Sequence, residues 1–324
     1  KGVESTAGSA ILRGYRPLFN ATVVQKCIDE GAIIIGKTAQ DEFGFGGFST
    51  NVGHGFGIPK NPFDKQRTCG GSSGGAGGIS SKAGFPHFSL GESTGGSIVN
   101  PASFCGVYGL CPTYGRVSRN GLIDYGNSLD KIGPLSKDIE DAALALEVIS
   151  GFDSAESTSL DKPVEAYSDN IGKDVKGMKI GVVKEAFGEG VDEEVKKKVW
   201  DGIKQLESAG AEYEEISLPL TMKHGMSAYY ILATSEASTN LAKYCGMRYG
   251  KQEKLEGSFN EYFTKVRSSH LGKEAKRRII IGTFARMAGF RDAYYMKAMR
   301  IRSKVIDEYR KAFKDYDMLA SHAV

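Results

Sequence analysis

Serine hydroxyls set among glycines are the side chains here best suited to chemistry, and they form two clusters within Thr68–Gly106. The first runs Gly70-Gly71-Ser72-Ser73-Gly74-Gly75; the second is Ser93-Thr94-Gly95-Gly96-Ser97. Residues without bulk let backbone approach backbone or a ligand, and glycine accepts positive φ where a sharp turn needs it. An apolar, strand-like run, Phe85–Leu90, separates the clusters. That argues for a folded pocket, because a flexible linker would be Gly/Ser throughout.

Acyl transfer by serine suits this pattern. Ser97 follows Thr94, Gly95 and Gly96, whose N–H groups could turn inward as an oxyanion hole. One such donor is typically worth about 3 kcal/mol. A helix beginning near Ile98, with Pro101 tolerated in its first turn, would add a favourable field at Ser97. A serine of ordinary pKa needs a base, and the five histidines are scattered. A lysine relayed through a second serine, from the Ser72-Ser73 pair, is a physically sound alternative to a His/Asp partner. On the residues alone two other readings stay open. One is a phosphate-binding loop, although no G-x-x-x-x-G-K-[ST] occurs and Lys82 comes too late for the loop lysine. The other is a tightly packed Gly-rich sheet edge without chemistry.

The elements that must position these serines read as α/β. Residues 20–31 form a helix with Asn20 as N-cap and Gly31 as its stop. Ala32–Gly36 follows as a continuous apolar run, the pattern of a strand buried on both faces. Gly44–Gly57 is a Gly/Phe-rich loop; His54 within it is either catalytic or an ordinary loop histidine. Val107–Arg119 reads as short strands and turns, and Asp138–Ile149 as a helix capped by Asp138 and ended at Gly151. The polar stretch 152–177 marks an internal boundary. Beyond it, strand Met178–Val183, helix Asp192–Ala209 (stripe Val195, Val199, Ile203, Leu206) and strand Ala211–Leu218 make a βαβ unit. Met226–Phe313 is mostly helical in pattern.

Length and composition bound the rest. The chain has 324 residues, enough for one large domain or two ordinary ones, with 40% hydrophobic and 25% charged residues as in a soluble globular protein. A net charge of +3 is too small for a dedicated nucleic-acid surface. No apolar run is long enough to span a bilayer, and the first residues lack a signal-peptide core. Five cysteines without a C-x-x-C pair fit reduced thiols in an intracellular protein.

The order Gly70-Gly71-Ser72-Ser73-Gly74-Gly75, Gly95-Gly96-Ser97-Ile98, Pro101-Ala102, Cys105-Gly106 resembles the signature of the amidase-signature hydrolases. Further segments resemble one branch of that family, the glutamine-hydrolysing A subunits of tRNA-dependent amidotransferases. They include Gly36-Lys37-Thr38, Asp41-Glu42-Phe43, Asn61-Pro62-Phe63-Asp64, Ser128-Leu129-Asp130, Ser235-Glu236-Ala237-Ser238 and Lys276-Arg277-Arg278. The resemblance runs essentially from end to end. It implies an amidase-signature fold, with a mixed central β-sheet covered by helices. It further implies a single domain over 1–324, truncated at both ends, with a helical subdomain at about 220–316. In it Ser97 matches the nucleophile, Ser72 the bridging serine held by a cis peptide bond, and Thr94, Gly95 and Gly96 the oxyanion-hole backbone. Arg278 matches an arginine that pairs with the glutamine α-carboxylate, a task suited to a guanidinium fork; alone it would read as part of a solvated helix face. Tyr229 and the Gly44-Phe45-Gly46-Gly47 loop, with Gly44, Gly46 and Gly47, match the pocket wall.

The implied activity is glutamine hydrolysis that supplies ammonia for converting Glu-tRNA(Gln) or Asp-tRNA(Asn) to the amidated form. The implied partners are a B subunit, which holds ATP and Mg and contacts most of the tRNA, and a small C subunit; no metal or cofactor belongs to this chain. The implied location is the cytoplasm, or an organelle matrix in a eukaryote. The alternatives are a free-standing amidase on small amides and a catalytically silent scaffold homologue. The family lysine falls upstream of Lys1 and an acidic residue that grips the substrate amine falls beyond Val324, so the chain as written is expected to be inactive. At Asp317–Ser321 the family continues S-P-T or A-P-T, which His322-Ala323-Val324 does not fit. Ser93 and Val99 stand where the family has Asp and Arg, a lost ion pair. The spacing from Ser72 to Ser97 is one residue longer than usual, which predicts a bulge within Gly77–Lys82.

Overall fold

The computed structural model describes residues 1–323. Its main elements, in chain order, are α1 (Thr22–Asp29), α2 (Gly74–Lys82), β1 (Phe88–Ser93), α3 (Val99–Cys105), β2 (Tyr108–Gly109) and β3 (Lys131–Ser136). They continue with α4 (Ile139–Ile149), β4 (Lys179–Val183), α5 (Glu193–Ser208), β5 (Glu212–Ile216) and α6 (Pro219–Asn240). The last are α7 (Phe259–His270), α8 (Lys273–Arg286), α9 (Lys297–Ala312) and β6 (Met318–Ala320). The fold is α/β and divides into two compact units. One is Lys1–Ile171 with Ala233–Thr283; the other is Gly172–Leu232 with the chain from Phe284 onward.

The first unit is built on an antiparallel sheet in the order β1-β3-β2, with Phe88 opposite Ser136 and Ser93 opposite Lys131. In β1 the small residues Ser89, Gly91 and Ser93 alternate inward, and β3 is buried along nearly its whole length. Small inward residues let α2 lie close, where Ala76 packs with Ile98, Ala102 and Leu135. A second cluster joins α1 to α4 through Val23, Cys27, Leu146 and Ile149, with Val117 and Ile132. The Val, Leu and Ile side chains among these contribute roughly 1.5–3 kcal/mol each when buried. Asp138 caps α4 by accepting from Glu140 N–H at 3.3 Å, with Glu140 and Asp141 in the first turn, as the sequence predicts.

Three expectations are corrected. Asn20 does not cap α1, whose N-cap is Ala21 without a side-chain bond; the Asn20 amide donates instead to Gln25 at 2.7 Å. Ala32–Gly36 forms no strand, and Ile33, Ile34 and Ile35 are 87%, 53% and 61% exposed. An apolar run reports readiness to leave water, whereas a strand also needs a neighbour for its N–H and C=O groups. Among the described residues no strand pairs with this run. The bulge expected within Gly77–Lys82 is absent too: α2 is an unbroken helix that closes with Ala83 N–H on Ile79 C=O at 2.9 Å. Close packing of α2 on α3 holds it regular, and the exposed turn Gly84–Pro86 is the nearest segment with room for an extra residue.

In the second unit β4, α5 and β5 make the expected βαβ unit, in a parallel sheet ordered β5-β4-β6. Ile180, Val182, Ile203 and Ala211 form its core. The α5 stripe is narrower than predicted, since Ile203 is buried but Val195 is 42% exposed. Asp192 caps this helix through Glu194 N–H at 2.8 Å. Among the described residues no helix is long and apolar enough to cross a membrane.

Candidate active site

The two serine clusters meet where α2 and α3 begin. Ser72 and Ser97 are both buried, at 2% and 6% exposure. The Gly71–Ser72 peptide is cis. Ser73 N–H donates to Ser97 C=O at 3.2 Å, and the Ser73 hydroxyl both donates to Glu92 C=O (3.0 Å) and accepts from Glu92 N–H (3.1 Å). The first cluster is therefore fastened by backbone to the strand that carries the second. Glycine makes this approach possible. A Cβ on Gly71 would stand 2.5 Å from Ser49 N, and one on Gly77 would stand 2.8 Å from Pro101 O.

Thr94, Gly95 and Gly96 lie on the turn from β1 into α3, the helix that starts two residues after Ser97. Gly96 N–H donates to Ser93 Oγ at 3.0 Å, so an oxyanion role for Gly96 requires release of that bond. Ser93 takes this position where the family resemblance implies an aspartate. Thr94 Oγ1 sits between two carboxyls, 3.0 Å from Glu92 Oε1 and 2.9 Å from Asp130 Oδ1. Burial raises both acids, with Asp130 at about 6 despite hydrogen bonds from Gly126, Tyr125 and Thr94.

The wall loop is folded around Asp41. Its buried carboxylate accepts from Asn51 N–H at 2.7 Å and Ser49 N–H at 3.1 Å. Burial lifts its pKa to about 6, against those amides and the positive charge of Arg278. Gly46 has φ +155°, and a Cβ there would meet Asp41 Oδ2 at 2.6 Å. Gly47 C=O accepts from Gly71 N–H at 2.9 Å, so the loop and Ser72 share a backbone brace. A Cβ on Gly44 would strike Glu92 Oε2 at 2.7 Å and lie 3.6 Å from Ser72 Oγ.

Arg278 does not lie on a solvated helix face. It is 7% exposed, 2.7 Å from Glu274 and hydrogen-bonded to the Tyr125 hydroxyl. Its guanidinium stacks 5.1 Å from the Phe45 ring and 5.6 Å from Tyr125, and those two rings pack edge-on at 4.7 Å. Burial works to raise the Glu274 carboxyl, but hydrogen bonds from Arg277 and Arg278 outweigh it and leave it lowered. The start of α8 is tied to the wall loop by Gly272 N–H on Glu42 at 2.9 Å. A helical arginine thus becomes a fixed, oriented cation beside Phe45.

Ser72, Ser97, Thr94–Gly96, Gly44, Gly46, Gly47 and Arg278 all belong to the first unit. Tyr229 lies on the part of α6 that belongs to the second and is half-buried there. His54 is exposed, with its backbone carbonyl accepting from Arg13 at 3.2 Å. Sequence reasoning missed Tyr125, whose ring and hydroxyl hold Arg278, and gave no role to Asp41, Glu92 or Asp130. The signal open to it was an acid within a small-residue run, as at Glu92.

The Amidase family profile matches residues 1–324. The A subunit of glutamyl-tRNA(Gln) amidotransferase from Koribacter versatilis is 51% identical over 321 residues, 99% of this chain and 66% of that protein. The protein of the same name from Methanosarcina mazei is 48% identical, across 98% of this chain and 66% of that protein. The crystal structure of the corresponding A subunit from Thermotoga maritima superposes with a TM-score of 0.79 at 36% identity, covering 98% of this chain and 64% of that one. The chain therefore spans about two thirds of the length of the relatives it matches. With the whole chain matched and the serine-bearing Gly-rich frame in place, this protein belongs to the amidase family.

Proposed function

We propose that this chain is the nucleophile-bearing part of the glutamine-hydrolysing A subunit of a tRNA-dependent amidotransferase. The observation that carries the reading is the union of Ser72 and Ser97 in one buried frame, fastened by the Ser73–Ser97 backbone bond. The names of relatives about half identical to it support the choice of reaction.

Ser97 Oγ attacks the side-chain amide carbon of glutamine. Its proton passes through the Ser72 hydroxyl to a lysine, which the family pattern puts upstream of Lys1. The developing oxyanion is met by amides of the Thr94–Gly96 turn, and the C–N bond then breaks. Ammonia leaves with the relayed proton, and water hydrolyses the glutamyl ester at Ser97 to glutamate. Arg278 holds the substrate α-carboxylate through its fork, and Gly44, Gly46 and Gly47 let the wall approach closely. Nothing in this half-reaction consumes ATP, so ATP and Mg²⁺ are assigned to a partner B subunit, with a C subunit completing the complex. The modest charge of +3 fits a protein whose partner carries most of the tRNA contact. Glutamine, the aminoacyl-tRNA reached through the partner and a cytoplasmic setting complete the proposal.

Acid-quenching the full-length protein during turnover of labelled glutamine tests it. The label should appear as an ester on the Ser97 peptide. Turnover with no label at Ser97 contradicts the assignment, and a full-length protein that purifies alone and hydrolyses simple amides points to a free-standing amidase.

A further inference from the structure

A buried acid pair stands behind the turn that leads to Ser97. Asp130 is wholly buried and saturated with donors: Tyr125 N–H at 2.8 Å, Gly126 N–H at 2.9 Å, and Thr94 Oγ1 at 2.9 Å. Glu92, a half-buried residue, brings Oε1 to 3.0 Å from the same Thr94 oxygen. A hydroxyl has one proton, so it cannot donate to two carboxylates at once. If both acids were ionised, one would face an oxygen lone pair and the other's charge. Asp130 has two backbone amides pointed at it, whereas among the described residues the Glu92 carboxyl meets no backbone amide and has Thr94 and the Asp130 carboxyl itself as its hydrogen-bond partners. The negative charge therefore belongs on Asp130, and the proton on Glu92.

We propose that Glu92 is a positioning residue: as a neutral acid it donates to Thr94 Oγ1, which donates to the Asp130 carboxylate. This chain of bonds holds the turn bearing the oxyanion amides. The inference rests on the assignment of Ser97 as nucleophile. Asp130 also fixes the Tyr125 amide, and Tyr125 accepts from Arg278, so one proton braces both the turn and the substrate-binding arginine. Ionisation of Glu92 places a second charge beside Asp130, breaks the donation and lowers turnover on the alkaline side. Lys131 acts on Glu92, Glu92 in turn acts on the neighbouring Cys111 thiol, and Arg119 acts on Asp130. Glu236 of α6 faces Gly126 nearby, its carboxylate held by Ser128. Gly44, Ser72 and Ser73 pack on the other side without charge. Because burial and Asp130 raise Glu92 above its ordinary value, the stability it contributes is full at low pH and is lost as pH rises through the raised value.

The test uses the full-length enzyme and compares Glu92→Gln, which keeps a donor, with Glu92→Leu, which does not. Glu92→Gln should hold kcat within about fivefold of wild type at neutral pH, while Glu92→Leu should lose about tenfold or more. The fall in kcat on the alkaline side should be absent in Glu92→Gln, and wild type should lose Tm relative to that variant as pH rises. A Glu92→Gln pH profile that superimposes on wild type, or equal losses in both variants, overturns the proposal. Should these variants not fold, Thr94→Ser should keep the wild-type pH profile and Thr94→Val should change it; identical profiles overturn the proposal. Ser97→Ala separates the two levels. If it retains glutaminase activity, the nucleophile assignment falls and this inference with it. If it is inactive while the Glu92→Gln profile matches wild type, this inference alone falls.

Discussion

Ser73 N–H reaches the carbonyl of Ser97, 24 residues on, across 3.2 Å, so the two serine clusters share one backbone frame. That bond seats the start of α2 against the turn into α3. The cis Gly71–Ser72 peptide and the Asp41-centred loop then surround the Ser72 side. The consequences can be measured.

The α2–α3 contact depends on the missing side chain at Gly77. In an open helix Gly→Ala gains about 0.5–1 kcal/mol from backbone entropy. At Gly77 the new Cβ would lie 2.8 Å from Pro101 O, and overpacking costs typically about 1–3 kcal/mol. Gly77→Ala should lower stability in chemical denaturation, while Gly84→Ala, which meets nothing within 4 Å, should leave it nearly unchanged. Equal behaviour of the two would remove Gly77 from the frame.

Arg278 is fixed by Glu274, Tyr125 and the Phe45 ring. Lysine keeps the charge but loses the planar fork and the stacking. In the full-length enzyme Arg278→Lys should raise KM for glutamine about tenfold or more, with a smaller fall in kcat. An unchanged KM would take the α-carboxylate away from Arg278.

Asp41 gives a pH signature to stability. Burial lifts its folded pKa to about 6. The folded state then binds a proton more tightly than the unfolded chain, and stability declines as pH rises through that value. Wild type should lose stability relative to Asp41→Asn between about pH 4 and 6, with a constant difference above. A difference that grows in the opposite direction would mean that the amides of Ser49 and Asn51 outweigh burial.

Ile33 is 87% exposed in a segment whose composition suggests a buried strand. For this chain, Ile33→Lys should change stability by less than about 0.5 kcal/mol and reduce self-association in light scattering. A loss of several kcal/mol would restore the buried-strand reading.

What was legible in the sequence divides along physical lines. Helices α4 and α5 could be placed because Asp138 and Asp192 cap them locally, and β4–α5–β5 because its periodicities change in order. The serine frame was legible because its glycines are required by contacts, such as Gly71 on Ser49, that no other residue satisfies. Ala32–Gly36 misled because apolarity does not encode the presence of a partner strand. Arg278 looked solvated because its covering rings, Phe45 and Tyr125, come from distant loops. Asp130 was silent for the same reason, since its partner Thr94 lies 36 residues away, whereas Glu92 was marked only by its small-residue neighbours.

In the proposed reaction Ser97 is the nucleophile that releases ammonia from glutamine. The measurement is amidation of charged tRNA by the full-length complex carrying Ser97→Ala, supplied in parallel with glutamine and with ammonium. Glutamine-dependent amidation should be abolished and ammonium-dependent amidation retained. Survival of the glutamine-driven reaction, or equal loss of both, would mean that Ser97 is not the nucleophile.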